Sequence, residues 1–77
     1  MKQVVDRELI KVRGKIVELY KMDDDTYRAF AIENFDTDDE IVGIGEGDEK
    51  ETAIKLALQD LYIETKKWIY KIILNML

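Results

Sequence analysis

The 77 residues contain no cysteine, histidine, serine or proline. Without Cys and His, the usual zinc sites, thiol chemistry and disulfides are excluded. Without Ser as well, the nucleophile–base pairs of acyl transfer cannot be assembled, and catalysis would fall to carboxylates, Lys, Tyr or Thr. The expectation is a non-enzyme with no cofactor and no bound metal. No apolar run is long enough to span a bilayer: WIYKIILNML, from Trp68 to Leu77, is about half the required length. The N-terminus, MKQVVDRELIKVRGK, is charged throughout and lacks the apolar stretch of a secretory signal. A soluble, cytoplasmic protein with no membrane partner is expected.

At this length one domain is expected, near the lower limit for a self-supporting core. The net charge is −5, but it is unevenly spread. Met22 to Glu51 holds twelve acids against Arg28 and Lys50, whereas the segments before and after it are each net basic. Such asymmetry bears on association and solubility rather than on fold.

Lys15–Met22 (KIVELYKM) and Thr26–Glu33 (TYRAFAIE) are β-branched or aromatic runs separated by Asp23-Asp24-Asp25, which reads as a hairpin. A second acidic turn, Asn34–Glu40, leads to a third short strand, Ile41–Ile44. Alternation puts Val17, Leu19, Tyr27, Ala29, Ala31, Ile41 and Gly43 on one face, rich in small residues that suit a closely packed helix. Ile16, Tyr20, Met22, Phe30, Ile32, Val42 and Ile44 fall on the other, interrupted by Glu18 and Arg28. That second face is too apolar to leave bare. It calls for cover by the N-terminal segment, the chain's end or a partner.

A helix is expected after Gly47, with Asp48 and Glu51 as a capping box and a stripe from Ile54 through Leu61 and Trp68 to Met76. Run to Leu77 it would be roughly 42 Å long, against a radius of gyration of about 11–12 Å for a compact chain of this size. Either the helix overhangs its domain, or it breaks near Thr65–Lys67 and WIYKIIL forms a further strand. In both cases Trp68, Ile69, Ile72, Ile73 and Met76 need burial, and a homodimer is an economical way to supply it. The first twelve residues read two ways: Val5, Leu9 and Val12, spaced four and three apart, suggest a short N-terminal helix, which is the reading preferred, whereas Lys2 to Val5 could start a strand. The expected fold is α+β: a three-stranded antiparallel meander packed by a long C-terminal helix, preceded by that short one.

The stretch IVGIGEGDEKETAIKLAL has the strand–glycine–helix layout of a phosphate loop. Its glycines stand at 43, 45 and 47, with Asp48 where a dinucleotide fingerprint needs the third Gly, and it has no Gly-Lys-Ser/Thr. Glu46, Asp48, Glu49 and Glu51 would repel a polyphosphate. The glycines are therefore expected to permit a tight turn and close packing. In a meander, Asp23, Asp24, Asp25, Glu46, Asp48 and Glu49 gather at one end, and Asp36, Asp38, Asp39 and Glu40 at the other. Asp36 to Gly47 fails as a calcium loop, because Ile41 stands where the sharp turn needs Gly.

From Lys15 to about Trp68 the chain resembles the N-terminal domain of HicB-like antitoxins, a partial RNase-H-like unit. The likeness is carried by DDDTYRAFAIE and by Gly47, Asp48, Glu51 and Ala53, which match that family's G-D-T-x-E-E-A helix start. The family's Pro-Asp-hydrophobic-Pro-Gly segment is replaced by NFDTDDEIVG, and no DNA-binding module accompanies the unit within these residues. The resemblance implies a protein that masks a small basic RNA-cleaving toxin. The two acidic clusters would then be the surfaces that meet a basic protein partner. The glycine turn and helix are also similar to the end of a double-stranded-RNA-binding domain, whose Lys pair is here replaced by Asp48-Glu49-Lys50-Glu51. Those acids argue against direct nucleic-acid binding. The alternative module would have to use the basic flanks Lys11, Arg13, Lys15, Lys66, Lys67 and Lys71.

Overall fold

The computed structural model describes residues 2–34 and 40–76. Four strands, β1 (Val4–Val12), β2 (Lys15–Met22), β3 (Tyr27–Asn34) and β4 (Glu40–Gly47), form one antiparallel sheet in sequence order, followed by a single helix, α1 (Lys50–Met76). The class is α+β, with one strand more than expected.

The extra strand is β1, which corrects the N-terminal helix. β1 and β2 close at the Val12–Lys15 pair around Arg13-Gly14, both at positive φ (50° and 80°), as a two-residue type I′ turn requires. Arg is not the Asn or Asp that announces this turn, so the hairpin signal is faint. Nor is the spacing of Val5, Leu9 and Val12 helical in origin. The register slips by one residue between Val4 and Asp6, and cross-strand pairing puts Leu9 beside Glu18 but Val12 beside Lys15, on opposite faces.

The β2–β3 turn is made by the three aspartates, as the sequence suggests. Met22 N–H donates to the Thr26 carbonyl and Asp25 N–H to the Met22 carbonyl, with Asp25 at φ 64°. This is a type I turn followed by a left-handed residue.

The expected inner face is the one that the helix covers. Val17, Leu19, Ala29, Ala31 and Ile41 are buried beneath Ala53, Ala57 and Leu61 of α1. Gly43 and Gly45 set the distance between the layers. A Cβ at either would lie inside 3.0 Å of helix backbone, at Ala57 and Leu61 for Gly43 and at Ala53 and Ala57 for Gly45. The glycines thus admit the protein's own helix, and that space is closed to a phosphate. Helix α1 begins at Lys50, so Glu49 takes the cap position assigned to Asp48. Among the described residues, Asp48 makes no side-chain bond to the first turn.

α1 is unbroken over 27 residues, about 40 Å, in a molecule 48 Å long with a radius of gyration of 14.1 Å. Residues 68–76 are therefore helix, and that helix overhangs the sheet. Trp68 packs on the edge of the core, while Ile69, Ile72, Ile73 and Met76 are exposed.

Candidate functional site

Two features stand out: a carboxylate-rich end and an uncovered sheet face. Pairing of Tyr27 with Gly47 brings the Asp23–Asp25 turn next to Glu46, Asp48 and Glu49, as the meander required. Part of this charge is already answered. Lys2 Nζ sits 3.1 Å from Asp24 and 3.5 Å from Glu46, and Arg28, directly across from Glu46, lies 3.6 Å from it. Asp23 N–H donates to the Gln3 carbonyl, which holds the N-terminal chain in place beside the turn. Among the described residues, Asp23, Asp25, Asp48 and Glu49 have no ion-pair partner and are exposed. Also among the described residues, no group of three or more acids is disposed to hold a metal. Of the second cluster, Glu40 is exposed at the opposite end of the sheet, and Asp36, Asp38 and Asp39 lie outside the described residues.

Asp24 is the most perturbed of these acids. Its carboxylate accepts bonds from the Thr26 hydroxyl and N–H and meets Lys2, and together these lower its pKa from 3.8 to about 2. A depressed carboxyl stabilises the fold above its ordinary pKa, and that contribution is lost as pH falls from about 4 towards 2. Asp24→Asn should therefore lower the urea midpoint at pH 5, and the gap to wild type should close on titration to pH 2. The effect is small, because the group is exposed and its partners are screened.

The sheet face away from α1 is open. Leu9, Ile16, Val42 and Ile44 are exposed on it, and Tyr20, Phe30 and Ile32 are only half-buried. Among the described residues, neither cover expected from within the chain is present: the N-terminal segment is itself an edge strand, and the tail leaves on the helix side. Polar groups cross this face as a network. Tyr20 Oη donates to Glu18 (2.6 Å), Arg7 pairs with Glu18 (3.4 Å) and lies over the Tyr20 ring, and Tyr20 meets Phe30 edge-to-face at 5.6 Å. The bond to Glu18 raises the pKa of Tyr20 above its ordinary value. Neither Arg7 nor Lys2 stood out in the sequence, since their partners are set by the β1 register.

The chain matches no protein-family model, no curated protein and no solved structure. Function must be argued from this geometry. The edge of β4 is guarded by Asp60 of α1, which accepts the Ile44 N–H at 2.8 Å. Docking by strand addition is opposed at that position on the β4 edge, and the broad apolar face is a surface on offer.

Proposed function

We propose that this is a non-catalytic interaction protein that holds a basic, nucleic-acid-acting protein partner against its open sheet face, in the manner of an antitoxin or inhibitor. The observation that carries this reading is the apolar face itself. Leu9, Ile16, Phe30, Val42 and Ile44 form a patch of the kind that marks an interaction site when it is rimmed by polar groups. Asp23, Asp25, Asp48 and Glu49, without an ion-pair partner among the described residues, supply at one end a field that would attract a basic partner and speed its approach. The HicB-like resemblance of residues 15–68 points the same way.

The test is affinity capture from the native host, identification of the bound protein, and kinetics with that protein purified. Ile44→Lys should weaken binding at least about tenfold through faster dissociation. The quadruple Asn/Gln replacement of Asp23, Asp25, Asp48 and Glu49 should slow association and flatten its salt dependence. Unchanged kinetics in both variants would remove the reading. Nanomolar, salt-sensitive binding of the isolated chain to RNA would replace it with the basic-flank alternative.

A further inference from the structure

Helix α1 leaves part of its own side of the sheet free. Four strands at about 4.8 Å spacing make a sheet roughly 19 Å wide, whereas a helix with its side chains is about 10–12 Å across. Gly43 and Gly45 draw α1 over β4 and β3. Its backbone comes close to β2 only marginally and, among the described residues, not to β1, which it meets through side chains: Lys50 pairs with Glu8 at 3.5 Å, and Ile10 and Val12 pack on the rim of the core. The vacant strip is a groove of about 560 Å³, with Val12 and Lys15 on one wall and Leu58, Tyr62 and Thr65 on the other. Leu58, Tyr62, Thr65, Ile69, Ile72 and Met76 follow one another at spacings of three and four. The helical wall of the groove and the overhanging tail are thus one continuous ridge along the same side of α1.

We propose that this groove receives the overhanging helical tail of a second copy, reciprocally, through antiparallel pairing of the two α1 helices. A two-fold that sets Thr65 against Ile69 of the second copy also sets Tyr62 against Ile72 and Leu58 against Met76. The ridge is then wall and guest at once, as a self-complementary interface demands. Lys67 and Lys71 line a cleft with Glu40 on the other side of α1 and stay in water.

The area argues for a second copy. The chain exposes 5962 Å², against about 4,900 Å² for a compact monomer of its mass. The excess, roughly 1,000 Å², is close to the ~800 Å² that each partner contributes to a standard stable interface. This surface is separate from the open face, so the inference does not depend on the function proposed above.

Light scattering and sedimentation on the full chain should show a dimer. Ile69→Asp and Ile72→Asp change residues that are exposed and lie past the sheet, so the fold should survive while the dimer Kd rises at least about tenfold. The absence of native cysteine allows clean trapping. Tyr62→Cys/Ile72→Cys should oxidise to a covalent dimer, and Leu56→Cys/Lys67→Cys, on the far side of α1, should not. A monomeric wild type would overturn the proposal, as would a dimer indifferent to Ile69→Asp or one trapped equally by both cysteine pairs. A monomer that binds anionic phospholipid vesicles through the tail would overturn it in favour of a lipid surface.

Discussion

Gly43→Ala should be strongly destabilising. The added methyl group would meet the backbone at Ala57 and Leu61 inside 3.0 Å, and backbone cannot swing aside as a side chain can. The helix must lift, and lifting it strips Ala57 and Leu61 from the Val17 and Ala31 surface that they bury. Overpacking of a well-filled core costs about 1–3 kcal/mol when neighbours can adjust, and more when they cannot. Total stability for a domain of this size is only about 4–12 kcal/mol. We expect a loss of at least about 3 kcal/mol in urea unfolding followed by the fluorescence of Trp68, the single tryptophan. Gly45→Ala should behave alike, because its methyl group would meet Ala53 and Ala57. Gly14→Ala is the informative contrast. Nothing lies within 4 Å of its Cβ, but φ is +80°, so the cost should be conformational and about 1 kcal/mol. Equal losses at positions 14 and 43 would show that the close approach of helix to sheet is not what the glycine provides.

The same glycines show what was legible in the sequence. Their alternate spacing on a strand, followed by Ala53 and Ala57, encodes a helix lying close on one face, and the period-two sorting of β2, β3 and β4 identified that face. The phosphate reading failed on the spacing of the glycines and on charge, before any geometry. β1 was not legible, because its evidence is non-local: an Arg-Gly turn that needs positive φ twice, and a bulge that scrambles the alternation. The tail lay between these cases. Apolar residues nearly all round cannot separate helix from strand, and only the absence of a breaker at Thr65–Lys67 favours continuing α1.

The candidate site was legible in part for a related reason. The meander places the two turns at one end whatever the side chains do, so the meeting of Asp23–Asp25 with Glu46 and Asp48 followed from topology. How much of that charge remains free did not follow. Lys2 reaches Asp24 and Glu46 only because β1 joins the sheet, and Arg28 neutralises Glu46 only through the β3–β4 register. An acidic composition is therefore a poor guide to an acidic surface until strand pairing is known.

Leu61→Ala should cost about 3–5 kcal/mol, the upper part of the range for truncating a buried leucine. Leu61 is 1% exposed and is one of the two largest fully buried side chains. What surrounds it decides the magnitude. Its neighbours in the core are Val17, Ala29, Ala31, Ile41 and Ala57, with the bare backbone of Gly43 beneath. The alanines and the glycine backbone have no side chain to swing into a void, and the β-branched Val17 and Ile41 are stiff at χ1, so the cavity should persist rather than collapse. Thr65, which donates to the Leu61 carbonyl at 2.8 Å, keeps its bond to the main chain, so the loss is one of packing alone. Leu56, on the same helix but 41% exposed, should cost less than about 1 kcal/mol when changed to Ala. Chemical denaturation of both variants at one fixed protein concentration checks the pair, since a dimer makes apparent stability depend on concentration. Similar losses for Leu56→Ala and Leu61→Ala would mean that the outer side of α1 is as buried in solution as the inner, and that a partner already covers it.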